Sequence, residues 1–156
     1  MILNRQRRVR VPVAELNRFL ASVQKRLRIP RGAVTIALVT DGEMKRWNRA
    51  FRGKNRPTDV LSFPGDDSPD RTHGTSTKPR RKTNRESPSF DPYFGDIAIA
   101  PAVARTNANR FGRTFKTEMR ILILHGILHL MGYDHETDQG QMDRREARLR
   151  RELGLA

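Results

Sequence analysis

Three histidines, His125, His129 and His135, fall within the eleven residues HGILHLMGYDH of a chain that has four histidines in all. The first two are i and i+4. On a helix turning about 100° per residue they point about 40° apart, one turn above the other. That spacing lets two imidazoles share one metal ion. Gly132 offers a left-handed helix exit, and reversal through Tyr133 and Asp134 can return His135 as a third ligand. Three imidazoles in so apolar a stretch would each need a hydrogen-bond partner, and a shared cation satisfies all of them. Three neutral nitrogen ligands without a fourth protein ligand leave a coordination position open. That is the composition of a catalytic zinc site, where bound water has a pKa near ~7. Nickel or copper would also suit the donors. Asp134 has two readings: an outer hydrogen-bond acceptor that orients a ligand imidazole, or the N-cap of the following helix.

Two chemistries compete for such an ion. The histidine spacing, with glycine between the second and third ligands, is that of the metzincin peptidases, HExxHxxGxxH. The residue after the first ligand here is Gly126, where those peptidases carry the glutamate that serves as general base. A second stretch, FRGKNRPTDVLSFP (Phe51–Pro64), favours phosphodiester hydrolysis. Arg52, Lys54 and Arg56 flank a glycine turn that leads into a strand. Arginine gives a phosphate two parallel charge-assisted hydrogen bonds and stabilises charge developing on a phosphoryl group. The chain as a whole carries 31 Lys and Arg against 17 acids, a formal +14, and such a field concentrates polyanions. Arginine outnumbers lysine, which GC-rich coding also produces.

The elements that must position these residues read as follows. RRVRVPV (Arg7–Val13) alternates basic and apolar residues as an edge strand does. VAELNRFLASVQKRL puts Leu16, Phe19, Leu20, Val23 and Leu27 on one helical face. Gly32–Thr40 is a β-branched, buried strand. Asp41 is placed to cap a helix over GEMKRWNRAF. DVLSFP is a strand closed by proline. Order returns after the insertion with YFGDIAIAP, a strand, and AVARTNANRF, a helix. Thr114–Gly132 is a long helix, apolar nearly all round from Ile121. The last helix, ETDQGQMDRREARLRRELGL, offers Met142, Ala147, Leu149 and Leu153 for packing. Between the third and fourth strands, Gly65 to about Pro92 is rich in Ser, Thr, Pro, Asp and Arg and nearly free of aliphatics. It cannot bury enough apolar surface to offset ordering, and it reads as a flexible polar insertion. Its basic stretch KPRRKTNR could touch a polyanion; a solvated loop is the plainer reading. His73 lies inside the insertion and outside any site. The 156 residues suit one domain, 1–156. No apolar run reaches membrane-span length, no signal-peptide pattern opens the chain, and the absence of cysteine excludes disulfides and thiolate metal sites and fits a reducing compartment.

HGILHLMGYDH, preceded in order by FRGKNRPTDVLSFP and GDIAIAP, resembles the YbeY-type endoribonucleases, the rRNA maturation factors. The resemblance covers nearly the whole chain outside Gly65–Pro92. It implies a bacterial cytoplasmic, zinc-dependent, single-strand-specific endoribonuclease. Such an enzyme acts at the 3′ end of small-subunit (16S) rRNA and in ribosome quality control. It also implies His125, His129 and His135 as metal ligands and Arg52 as the functional arginine. The insertion departs from the family's short connection, and the chain is more basic than many relatives. The expected fold is α+β (mixed α/β): a small, mostly parallel four-stranded sheet with one antiparallel strand, packed by about five helices. The expected site has Arg52 and His125 as catalytic residues, with Arg52, Lys54 and Arg56 on the RNA backbone. It holds one Zn2+ per chain and no small-molecule cofactor. Expected partners are single-stranded ribosomal RNA and ribosomal subunits, with no membrane. The alternatives are a non-catalytic RNA-binding assembly factor with a structural zinc, and a metzincin-like peptidase.

Overall fold

Strand β1 (Ile2–Asn4) and helix α1 (Val13–Leu27) lead into β2 (Val34–Leu38), α2 (Asp41–Arg52) and β3 (Val60–Pro64). After the insertion come β4 (Gly95–Ile99), α3 (Pro101–Arg110), α4 (Phe115–Leu130) and α5 (Gln141–Glu152). This computed structural model describes residues 1–65 and 93–155. Almost all of the polar insertion, with KPRRKTNR and His73, lies outside the described residues. The four strands form one sheet in the order β1-β2-β4-β3. β1, β2 and β4 are parallel, and β3 runs antiparallel to β4 with Pro64 opposite Gly95. The mostly parallel four-stranded sheet with one antiparallel strand, and the five helices among the described residues, match the sequence expectation.

Alternation along the strands decides what each face carries, because successive side chains point to opposite sides. Val34, Ile36 and Leu38 of β2, with Ile97 and Ile99 of β4, enter the main core with α1, α4 and α5. Ala37 and Ala98 point the other way, beside Leu61 and Phe63 of β3, and meet Met44 and Trp47 of α2. Helix α1 buries Leu16, Phe19, Leu20 and Val23, the stripe its periodicity predicts, with Leu27 at the edge. Helix α4 is buried on most sides, as its composition requires, through Met119, Ile121, Leu122, Ile123, Leu124, Ile127 and Leu128. No helix among the described residues is long and apolar enough to cross a membrane.

Three local expectations are corrected. The edge strand is Ile2–Asn4, not Arg7–Val13. There the Gln6 side chain takes the place of a ladder partner: its Nε2 donates to the Val9 carbonyl and its Oε1 accepts from the Val9 N–H, both at 2.9 Å. That closes a loop at the residues whose alternation imitates a strand. The N-cap of α2 is Thr40, whose hydroxyl accepts from the Glu43 N–H at 3.2 Å; Asp41 is the first helical residue. Helix α5 begins at Gln141, later than the charged segment suggests. Its start is held by Asp138, whose carboxylate accepts the Gly140 and Met142 N–H groups, each at 2.8 Å. Its apolar face is Met142 and Leu149, while Ala147 is exposed.

Gly126 marks the closest approach of α4 to the sheet. A Cβ there would stand 2.9 Å from both Cδ1 and Cγ2 of Ile97. The Gly126 carbonyl accepts a hydrogen bond from the Ser62 hydroxyl of β3 at 3.1 Å. Glycine sets the depth at which α4 lies, and so the height of its histidines beside β3. Gly126→Val is expected to destabilise the chain by about 1–3 kcal/mol through overpacking. A lowered urea midpoint at unchanged m-value would show it.

Candidate metal centre

The site begins at the start of α4, where the Thr114 hydroxyl accepts the Thr117 N–H at 3.1 Å and fixes the helix phase. About three and four turns on, His125 and His129 come to a stretch of the helix flank that the core leaves partly open, each half-buried. Beyond Met131 the chain turns through Gly132, at φ +96°, a conformation that favours glycine. The Gly132 N–H returns to the His129 carbonyl at 3.0 Å and the Tyr133 N–H to the Leu128 carbonyl at 3.1 Å, the closure that ends helices at glycine. The reversal carries His135 back. One ligand atom from each of His125, His129 and His135 lies within 4.8 Å of the others. Nε2 of His125 and Nε2 of His129 are 3.1 Å apart. A tetrahedral zinc with bonds of about 2.0–2.1 Å would hold two nitrogens about 3.3 Å apart, so the helical pair fits one ion.

Electrostatics favour the ligand form of the His129 imidazole. Burial pushes His129 below the ordinary histidine range, and the neighbouring His125 and His135 push it further, against the opposing charge of Asp134. A neutral imidazole offers a lone pair to a cation; an imidazolium does not. The donor set and its spacing therefore suit a divalent ion of zinc's preferences.

Asp134 is not the N-cap of α5, which is Gly140. Its Oδ1 accepts the Glu136 N–H at 3.0 Å, and its carbonyl accepts the Thr137 and Asp138 N–H groups. It shapes the turn that carries His135, and its charge acts on His129. The carboxylate that does reach a ligand is Glu146 of α5, whose Oε2 stands 2.9 Å from Nδ1 of His125. Arg150 reaches the other oxygen, with Nη2 at 2.6 Å and Nε at 3.1 Å. Burial alone would raise the Glu146 carboxyl. The His125 hydrogen bond and charge, then Arg150, outweigh it and hold the group below its usual range. Sequence reasoning missed Glu146. The available signal was an acid in register with Met142 and Leu149 on the buried face of an otherwise charged helix.

The histidines line a cleft of about 720 Å³ bounded by β3, the end of α2 and the turn after α4. Arg52 lines the same cleft. Its Nη2 pairs with Oε1 of Glu136 at 3.1 Å, and both side chains are well exposed. Such a pair holds with about 0–1 kcal/mol, so a stronger anion can take the guanidinium. Lys54 and Arg56 are exposed in the following turn and do not line the cleft. Gly53 starts that turn at φ +68°. Asn48, buried in α2, holds it by donating from Nδ2 to the Arg56 carbonyl at 2.8 Å. Asp59 also lines the cleft, but its oxygens are engaged. Oδ1 accepts the Val60 N–H at 2.8 Å and Oδ2 accepts from Asn107 at 3.2 Å. Structure thus brings Arg52 and the three histidines together and leaves Lys54 and Arg56 outside.

The position that carries the general base in metzincins is Gly126, directed at Ile97 and the sheet. No side chain there could enter the cleft, which removes the structural basis for a peptidase of that type.

A family model described as Endoribonuclease YbeY matches residues 1–154. A curated protein of that name from Solibacter usitatus is 40% identical over 141 residues, covering 90% of this chain and 78% of its own. Another from Koribacter versatilis is 36% identical over 155 residues, covering 99% and 86%. The solution structure of a Thermotoga maritima protein is similar at a TM-score of 0.57 and 27% identity, covering 98% of this chain and 89% of that one.

Proposed function

This chain belongs to the Endoribonuclease YbeY family, and we propose that it is a metal-dependent, single-strand-specific endoribonuclease of ribosomal RNA maturation and ribosome quality control. Its site would be His125, His129 and His135 around one zinc ion, with Arg52 opposite. Its substrate would be the single-stranded 3′ end of small-subunit rRNA, met on ribosomal subunits in the cytoplasm. Residues 1–156 act as one domain, with 65–92 an insertion into it.

The observation that carries this reading is the shared cleft: three imidazole nitrogens within 4.8 Å of one another on one side, and a weakly paired arginine on another. His125, His129 and His135 would hold a divalent ion, which would supply Lewis-acid polarisation at the scissile phosphate. Arg52 leaves Glu136, binds a phosphate oxygen with two N–H groups, and offsets the charge that grows there in the transition state. Lys54 and Arg56, exposed in the turn that follows Arg52, hold the RNA backbone beyond the cleft through charge. The formal charge of +14 supports this by drawing polyanions to the whole surface.

A structural-zinc assembly factor is less well supported. The apolar core closes around α4 without the histidines, and His135 is exposed at the cleft rim. Incubation of the purified chain with one RNA, single-stranded and as a duplex, and with casein separates the readings. Cleavage of the single strand alone is expected. Casein cleavage without RNA cleavage, or RNA binding without cleavage in zinc-loaded protein, would contradict the proposal.

A further inference from the structure

We infer that Glu146 is the positioning residue of the metal centre: its buried carboxylate, clamped by Arg150, fixes the tautomer of His125 so that Nε2 faces the ion. The inference rests on the metal reading above. It comes from a buried ionised side chain that no step of the proposed reaction uses.

Glu146 is only 6% exposed, although it belongs to the most charged helix among the described residues. A carboxylate there is costly unless both oxygens find donors. Both do. Oε1 takes the two Arg150 contacts and Oε2 meets Nδ1 of His125 at 2.9 Å. An ionised carboxylate can only accept, so the shared hydrogen sits on Nδ1. Nε2 then keeps its lone pair, and Nε2 is the atom that lies 3.1 Å from Nε2 of His129. The opposite tautomer would place a proton where the ion must bind. Among the described residues no carboxylate is hydrogen-bonded to His129 or His135, so His125 is the ligand whose direction α5 controls.

The clamp gives the inference a signature that a purely structural role lacks. In Glu146→Gln the amide has one acceptor and one donor end. If its carbonyl faces Arg150, its NH2 meets Nδ1 and drives the ring proton to Nε2. If it flips, the NH2 meets the Arg150 fork, donor against donor. The first orientation puts the ring proton on Nε2, where the ion must bind; the second loses the Arg150 contacts. Removing the guanidinium as well lets the carbonyl turn to Nδ1–H and restores the productive tautomer.

The test uses the full chain. Zinc affinity is measured by competition with a chromophoric chelator. The His125 tautomer is read from ring 15N shifts of metal-free protein above the imidazole titration range. The parent is expected to bind zinc and to carry Nδ1–H on His125. Glu146→Gln is expected to bind zinc about 10–100-fold more weakly and to move the proton toward Nε2. Glu146→Gln with Arg150→Met is expected to recover most of the affinity and the Nδ1–H tautomer. Unchanged affinity in Glu146→Gln, weakened affinity with an unchanged tautomer, or a double variant no better than the single one would each overturn the inference. If Glu146→Gln does not fold, Glu146→Asp retains the charge beside Arg150 but draws it one methylene back from His125. Reduced zinc affinity is expected there, and unchanged affinity overturns the inference. A parent that takes up no zinc overturns the metal reading and this inference with it; a parent that binds zinc as Glu146→Gln does overturns the inference alone.

Discussion

His129→Ala is expected to abolish RNA cleavage and metal retention while leaving the chain folded. The imidazole is half-buried, lines the cleft and makes no contact that closes the core. Alanine is the best helix former, so α4 should keep its phase. What disappears is the central donor of three: His129 lies 3.1 Å from His125 through the ring nitrogens, with its ring 5.4 Å from that of His135. A metal ion supplies several kcal/mol of transition-state stabilisation. Since each 1.36 kcal/mol is tenfold in rate, losing it should slow cleavage by about 10³-fold or more. Metal per chain after dialysis, initial rates on single-stranded RNA and far-UV dichroism would be read together. Full metal content with full activity in His129→Ala would refute the site.

Arg52→Ala should produce a loss of a different kind. Removing one group that stabilises developing charge costs about 10²–10³-fold in turnover, and metal content should not change. Stability should hardly move, because the Arg52–Glu136 pair is exposed and worth about 0–1 kcal/mol. Arg52→Lys keeps the charge but loses the two-pronged grip on a phosphate, and an intermediate rate is expected. Lys54→Ala and Arg56→Ala provide the contrast. These residues lie outside the cleft lining, so they should weaken RNA binding evenly and lower its salt dependence, each reducing the slope by about one unit. Equal losses of turnover at all three positions would remove Arg52 from any special role.

What could be read without the fold was what depends on near neighbours. His125 and His129 share a face because four residues make nearly one turn, and His135 returns because Gly132 permits the reversal. The stripe of α1 and the apolar length of α4 are likewise local patterns, and each helix buries what its pattern requires. What could not be read depends on distance or on side chains imitating backbone. Glu146 is 21 residues from His125, and only the docking of α5 on α4 joins them. Glu136 holds Arg52 across 84 residues. Arg7–Val13 has strand-like alternation, but Gln6 captures the Val9 backbone and the ladder forms at Ile2–Asn4 instead. Asp134 does not cap α5, whose N-cap is Gly140; its Oδ1 instead accepts the Glu136 N–H in the turn that carries His135. The peptidase question is an intermediate case. Gly126 shows from sequence alone that the general base is missing. Only the 2.9 Å approach to Ile97 shows that the position faces the sheet, so no substitution there could restore it.

The most direct test of a catalytic metal held by three histidines is to assay one preparation for metal content, fold and cleavage of a defined single-stranded RNA, before and after chelation. One zinc per chain is expected at the start. Chelation should leave a folded protein that binds RNA without cutting it, and added zinc should restore cleavage. Undiminished cleavage by metal-free protein, or unfolding on chelation, would contradict a catalytic ion at His125, His129 and His135.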